Sequence, residues 1–184
     1  MNTPPQPTKP PLKSRLLRWS IELALIVAVF LLIRAWQAPA LPDTHLPPLI
    51  GVTLDGQAFD SRNTQGRPFI VHIWAEWCPV CRMELGGIAE LARHAPVISI
   101  AWKSGNDEAV RQFLRKENLT LPVMNDPQGR LLAPLGIKAV PLHLVVDGSG
   151  RIHFVETGYT TAWGLRARLW WVEHVSGAQP GGAH

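Results

Sequence analysis

The feature that most constrains this chain is a pair of cysteines, Cys78 and Cys81, placed shortly after an apolar run. The run FIVHIW, residues 69–74, has the length and the β-rich composition of a strand that is buried on both faces. Downstream, apolar residues recur at helical spacing from Cys81 to Ala92, which predicts a helix over 78–93. The sequence therefore predicts a strand, a short turn and a helix, with both thiols in the first turn of that helix.

The spacing of the two cysteines favours a reversible dithiol. Cys78 lies at the predicted helix start, where unpaired backbone N–H groups and the helix dipole stabilise a thiolate, so we expect it to be the nucleophile. Pro79 suits the first helical turn, and Cys81 lies in the apolar stripe as the expected buried resolving thiol. A structural disulfide would close too short a loop to add much stability. A tetrahedral zinc site would need a second ligand pair, and the chain has 2 cysteines.

The net charge of the chain is confined to its first residues. The formal net charge is +4, and residues 1–36 hold five Lys or Arg side chains against Glu22 alone. Acidic and basic side chains are therefore balanced in the remainder. Because binding to nucleic acid requires a basic face, we expect no nucleic-acid partner.

The N-terminal segments predict that the rest of the chain is exported. Residues 1–19 are rich in proline and basic side chains, as expected of a cytoplasmic tail. Residues 20–36 contain the run IELALIVAVFLLI between Trp19 and Trp36, which favours a transmembrane signal-anchor helix whose basic side stays in the cytoplasm. Two alternatives stay open: a signal peptide cleaved near the small residues 38–40, and a buried helix of a soluble domain.

The exported part has the pattern of one α/β domain. Residues 37–48 are a Pro-rich linker, residues 49–176 the expected domain and residues 177–184 a flexible tail. The order of β-rich and helix-spaced runs predicts a mixed central β-sheet flanked by helices. The expected elements are a hairpin over 52–59, strands over 69–74, 97–101, 142–146 and 152–155, and helices over 78–93, 106–117 and 161–174.

Two segments resemble the thioredoxin superfamily. WAEWCPVC, residues 74–81, is similar to its active-site segment, and GIKAVP, residues 136–141, resembles the segment that ends in its cis-proline. The surrounding sequence is similar to the membrane-anchored, extracytoplasmic TlpA/ResA/ScsD-like branch, over roughly residues 46–175. The resemblance implies a thioredoxin-like fold with an N-terminal hairpin and a central β-α insertion, preceded by one transmembrane helix.

The resemblance also implies roles for residues around the cysteines. It makes Pro141 a cis-proline that faces the dithiol and presents the backbone at Val140 to a bound peptide, whereas residue chemistry alone favours a trans proline. Trp77, Pro79 and Glu76 border the first cysteine and are the expected substrate contacts. A simpler interpretation of Trp77 and Glu76 is that they are surface residues of a loop.

His72 lies six residues before Cys78, where thioredoxin has a buried acid and the anchored relatives usually have an asparagine. A histidine below the dithiol is expected to titrate near neutral pH and to accept the proton of Cys81 during exchange. The plainer interpretation is a structural histidine.

Three further features depart from the relatives or have ordinary interpretations. Glu84 recurs in the anchored relatives, but a solvated helix face is an equally simple expectation. Gly86-Gly87 stands where the relatives often have a proline, which puts the usual helix kink in doubt. The tryptophans of the last helix are expected to pack in the core and at its rim: Trp163, Trp170 and Trp171.

The expected activity is that of a protein-disulfide oxidoreductase in the periplasm, anchored in the bacterial inner membrane as a monomer. The expected partners are protein thiols or disulfides, which the resemblance implies belong to cytochrome c maturation or copper tolerance, and a transmembrane electron-donor protein. We expect no cofactor besides the redox-active Cys78/Cys81 disulfide, and no metal. The alternative is a Cu(I)-binding module that uses both cysteines and either His72 or His143.

Overall fold

The computed structural model describes residues 18–29 and 45–175. The chain divides into two compact units, Met1–Ala38 and Pro39–His184. In the first unit, residues 18–29 form helix α1, whose apolar side chains are exposed. Within the described ranges, no helix combines the length and the hydropathy that crossing a membrane requires. The second part of the predicted anchor lies outside the described residues, as do most of the predicted linker and nearly all of both predicted tails.

The second unit is built on a mixed sheet. The sheet has the order β5-β4-β3-β6-β7, in which β4 is parallel to β3 and β5, and β6 is antiparallel to β3 and β7. A separate antiparallel hairpin precedes it, made of β1 (Ile50–Val52) and β2 (Ala58–Asp60). The sheet strands are β3 (Phe69–Trp74), β4 (Val97–Trp102), β5 (Val123–Asp126), β6 (Leu142–Val146) and β7 (Ile152–Thr157).

The helices of this unit begin at residues that can satisfy free backbone N–H groups. They are α2 (Pro79–Ala92), α3 (Asp107–Lys116) and α4 (Ala162–His174). The Asn106 side chain caps α3 and the Thr161 side chain caps α4, each by accepting a backbone N–H of the first turn.

The core lies on both faces of the sheet. One face of β3 contributes Val71 and Ile73 to a cluster that also contains Leu144 of β6. The opposite face packs against helices: Trp74 contacts the cluster of the two cysteines, and Ile70 lies with residues of α2 and α4. Because side chains alternate along a strand, His72 belongs to this second face, beneath the helix that carries the dithiol.

The mixed sheet between helices and the N-terminal hairpin confirm the predicted architecture, and the element bounds differ by one or two residues. Strand β5 is not among the strands predicted from the sequence, because apolar and polar residues do not alternate clearly in its sequence VMND. Helix α2 is continuous through Gly86-Gly87. None of the last tryptophans lies in the core, and the predicted rim packing holds for Trp171: Trp163 is 80% exposed, whereas the exposed ring of Trp171 packs edge-on against Phe154 at a centroid distance of 5.5 Å.

Candidate active site

The two cysteines form a disulfide at the start of α2. Cys78 is the N-cap of the helix, and its sulfur accepts the N–H of Cys81 at 3.2 Å. Pro79 occupies the first helical position, where no backbone N–H is needed. Cys81 is fully buried, and Cys78 is only 5% exposed, so its sulfur is less accessible than an exposed helix tip would make it.

The segment before β6 lies against the outer sulfur. The Val140–Pro141 peptide bond is cis, as the resemblance implied. The carbonyl oxygen of Val140 is 3.6 Å from Cys78 Sγ, and Pro141 is buried. A cysteine of another protein that approaches Cys78 therefore comes close to the backbone at residue 140.

Hydrogen bonds join the loop between β3 and α2 to the loop that follows β4. Ser104 Oγ accepts the N–H of Glu76 at 3.0 Å and donates to the carbonyl of Trp102 at 3.1 Å. The indole N–H of Trp77 donates to the carbonyl of Lys103 at 3.1 Å. Trp77 is nevertheless 59% exposed. Its ring is thus held in one orientation beside the disulfide while much of its surface stays open to a partner.

A second group of titratable side chains lies buried beneath α2; we call His72, Glu84 and His143 the buried triad. The two histidines are cross-strand partners on β3 and β6, with stacked rings whose centroids are 5.0 Å apart. Oε1 of Glu84 lies 3.4 Å from Nε2 of His72 and 3.0 Å from Nε2 of His143. Oε2 of Glu84 accepts the N–H of Thr160 at 3.0 Å, and Nδ1 of His72 is 2.9 Å from Ser99 Oγ.

The charges of the buried triad follow from its burial and its contacts. Burial lowers the pKa of His72 to about 4, and the contact with Glu84 offsets this shift only in part. Burial by itself would raise the pKa of Glu84, but contacts with both histidines and the Thr160 N–H hold it at about 2. At neutral pH Glu84 is therefore ionised and the His72 ring is neutral.

This result corrects one expectation about His72. Titration near neutral pH is wrong for this residue, because a fully buried imidazole loses the hydration that stabilises its charged form. Its role as proton acceptor for Cys81 stays a prediction, and a ring with so low a pKa is a weak base at neutral pH.

Sequence reasoning missed the triad as a unit. Glu84 is 4% exposed and does not lie on a solvated helix face, and His143 is on a strand that is buried along its whole length. One signal was available: Glu84 follows Cys81 by three residues, which places both on the same face of a helix. The pairing of His143 with His72 depends on the register of two distant strands, which the sequence does not display.

Among the described residues, no histidine forms a ligand cluster with the two cysteines, as the Cu(I) alternative requires. Among the residues that the structure describes, the histidine and carboxylate atoms close enough to share an ion are those of the triad, without either cysteine. Both sulfurs are bonded to each other in this state.

Known proteins are similar to this chain in both sequence and fold. The sequence profile of the Redoxin family matches residues 37–163. A thioredoxin-like protein of Haemophilus influenzae is 33% identical over 122 residues, which cover 65% of this chain and 72% of that protein. The thiol:disulfide interchange protein DsbE of Pseudomonas aeruginosa is 32% identical over 155 residues, which cover 77% of this chain and 83% of that protein.

Two solved structures extend the comparison to three dimensions. A thiol:disulfide interchange protein of the thioredoxin family from Chlorobium tepidum superposes with a TM-score of 0.59 and 26% identity, over 72% of this chain and 99% of that one. StoA from Bacillus subtilis has a TM-score of 0.60 and 24% identity, over 73% of this chain and 100% of that one.

Proposed function

Since the chain belongs to the Redoxin family and is a protein-disulfide oxidoreductase of the thioredoxin superfamily, we propose that it exchanges disulfides with exported proteins. Cys78 is the nucleophile and Cys81 the resolving thiol. The observation that carries this proposal is a disulfide at the N-terminus of a helix with the backbone at Val140 against its outer sulfur.

The helix start explains which of the two sulfurs attacks first. The N–H of Cys81 points to Cys78 Sγ, and the first turn of α2 contributes the positive end of the helix dipole. Both stabilise a thiolate at Cys78 in the reduced protein, so Cys78 ionises more readily than the buried Cys81. The carboxylate of Glu76 opposes this effect modestly through its like charge.

Reduction of a substrate proceeds in two exchanges. The Cys78 thiolate attacks one sulfur of the substrate disulfide; that S–S bond breaks, the second substrate sulfur leaves as a thiolate, and a mixed disulfide forms. Cys81 then loses its proton and attacks Cys78 Sγ, which releases the other substrate sulfur as a thiolate. The substrate has gained two electrons, and the dithiol has become the Cys78–Cys81 disulfide. Oxidation of a substrate uses the same atoms in reverse.

The surface around Cys78 provides the contacts for a protein substrate. Pro141 and the backbone at Val140 receive an extended segment of the partner next to its reacting cysteine. Exposed Trp77 and Pro79 and half-buried Glu76 form the opposite border of this surface. Trp77 supplies the largest apolar contact, because its ring is both exposed and oriented by the Lys103 carbonyl.

Trapping of mixed disulfides tests this function. In Cys81→Ser the second exchange cannot occur, so we expect the variant to accumulate mixed disulfides with its natural partners. Dithiothreitol should reduce these adducts. The control is the double variant Cys78→Ser/Cys81→Ser, which lacks the nucleophile and should form no adducts. A folded Cys81→Ser protein that accumulates no adduct would refute the assignment of Cys78 as the nucleophile. The identity of the adducts shows whether the substrates belong to cytochrome c maturation, copper tolerance or another exported set.

We further propose that the domain works in the periplasm, held as a monomer at the bacterial inner membrane by residues 20–36. The basic residues before this segment support a cytoplasmic N-terminus. If it acts as a reductant, its electrons come from a transmembrane donor protein, because cytoplasmic reductases do not reach that compartment. The mass of the mature protein tests the anchor: an intact N-terminus in the membrane fraction supports it, and a chain that begins near residue 40 contradicts it.

A further inference from the structure

We propose that the buried triad of His72, Glu84 and His143 binds one divalent transition-metal ion of the Zn²⁺ class, at a site separate from the dithiol. Two imidazole nitrogens and one carboxylate oxygen are a ligand set that zinc accepts. The three side chains come from β3, α2 and β6. A shared ion would therefore link the helix that carries the dithiol to the middle of the sheet.

The two distances from the Glu84 carboxylate to the histidines are close to those of a zinc site. Two ligands at about 2.0–2.1 Å from a zinc ion lie about 3.3 Å apart when the angle between them is tetrahedral. Oε1 of Glu84 is 3.0 Å from His143 Nε2 and 3.4 Å from His72 Nε2. Ligand atoms of all three residues lie within 4.8 Å of one another. To bind one ion, the stacked histidine rings, whose centroids are 5.0 Å apart, would have to turn so that both Nε2 atoms point to the same position.

The atoms that face one another have no other partner. Within the described residues, four buried atoms of the triad have no hydrogen-bond partner outside it, and three of them face one another: His72 Nε2, Glu84 Oε1 and His143 Nε2. Folded proteins rarely leave buried polar atoms unsatisfied, because each has lost its hydration without replacement. A cation held between these three atoms would satisfy all of them together.

Neighbouring groups hold two of the three ligands in the required orientation. Ser99 Oγ contacts Nδ1 of His72 at 2.9 Å, and the N–H of Thr160 donates to Oε2 of Glu84 at 3.0 Å. These contacts occupy the outer atom of each side chain and leave Nε2 and Oε1 to face inward. Outer hydrogen bonds of this kind orient the ligands of known metal sites. His143 Nδ1 has no such partner among the described residues, so His143 is the least constrained ligand.

Metal retention by the oxidised full-length protein tests the proposal. Oxidation keeps both sulfurs in the disulfide, so neither cysteine can act as a ligand. The protein is loaded with ZnCl₂, dialysed against a weak chelator that strips surface histidines, and analysed for zinc by mass spectrometry. We expect one zinc per chain in the wild-type protein. A wild-type protein that retains none overturns the proposal.

Substitutions locate the retained ion. His143→Gln removes one ligand and should lower retention at least tenfold, and Glu84→Gln should do the same. The matched control is His153→Gln: His153 also contacts a carboxylate, that of Asp147 at 2.7 Å, but is not part of a cluster of three. The control should retain one zinc. Equal retention by folded His143→Gln and by the control overturns the proposal.

If the triad variants do not fold, spectroscopy of the wild-type protein tests whether the triad binds the ion. Wild-type protein loaded with CoCl₂ should show visible absorption bands of four- or five-coordinate Co²⁺, and X-ray absorption of the zinc form should show only nitrogen and oxygen neighbours. A six-coordinate Co²⁺ spectrum or a sulfur neighbour contradicts the site. Neither measurement depends on disulfide exchange, so this proposal and the proposed function can fail separately.

Discussion

Removing the hydroxyl of Ser104 tests whether the loop that carries Trp77 must be held in place for disulfide exchange. Ser104 is 5% exposed, and its Oγ accepts the Glu76 N–H at 3.0 Å. In Ser104→Ala this N–H loses its partner at a site that water reaches poorly. Because an unsatisfied buried donor costs about 1–3 kcal/mol, we expect the free energy of unfolding of the oxidised protein to fall by about 1–2 kcal/mol.

The same loss acts on the exchange reaction through the position of the loop. This hydrogen bond joins the loop before α2 to the loop after β4, and it is lost when the loop before α2 is displaced. A loss of about 1.4 kcal/mol lowers the equilibrium constant for the ordered loop about tenfold. Because the rate follows the fraction of molecules with an ordered loop, we expect kcat/KM for the reduction of insulin to fall by up to about tenfold, and by less if the Trp77 contact keeps most loops ordered.

A matched control separates this effect from lost stability. Ser61 is 8% exposed, and its Oγ accepts the N–H of Leu49 at 3.0 Å, so Ser61→Ala removes the same kind of bond. Leu49 belongs to the core cluster that does not contain the cysteines. Urea unfolding should show similar losses for both variants, whereas only Ser104→Ala should exchange slowly. Unchanged kcat/KM in a destabilised Ser104→Ala protein would refute the reasoning about the loop.

Three further substitutions test the electrostatics and the packing. Burial would raise the pKa of Asp147, but hydrogen bonds from Ser149 and His153 hold it at about 2, below its unfolded value of about 3.9. Asp147→Asn should therefore lower the free energy of unfolding at pH 7 by about 1–2 kcal/mol, and the difference should vanish as the pH falls from 4 to 2; a constant difference contradicts this. Gly86→Ala should raise stability by about 0.5–1 kcal/mol in urea, because a Cβ there meets nothing within 4 Å in an exposed helix turn. Gly148→Ala should lower the free energy of unfolding by about 1–3 kcal/mol, and with it the melting temperature, because the added Cβ would overlap the backbone of another loop. An unchanged melting temperature would show that this loop moves freely.

Local patterns made much of the fold predictable. The run FIVHIW is apolar throughout because β3 is covered on both faces, and the helix-spaced residues after it mark α2. The disulfide at the start of α2 depends on contacts over only three residues. The cis bond before Pro141 is different, since residue chemistry favours the trans isomer and only the resemblance to a family predicted it.

Long-range contacts made the rest unpredictable. His143 reaches His72 because β6 pairs with β3 in one particular antiparallel register, and a shift of one residue would turn it to the other face. On α4 the buried residues follow the helical spacing. Leu165, Leu169 and Val172 recur at helical intervals and form the buried stripe, which leaves the large indole of Trp163 in solvent.

The hydrogen bond from Thr160 to Glu84 joins the dithiol helix to the segment just before α4. Both the N–H of residue 160 and the α4 side chains that pack on α2 come later in the chain, since Leu165 and Leu169 share a cluster with Ile88 of α2. During synthesis, a chain that ends before α4 leaves an ionised carboxylate without its last donor. The order of translation thus delays the final packing of the helix that bears the cysteines until α4 has been made.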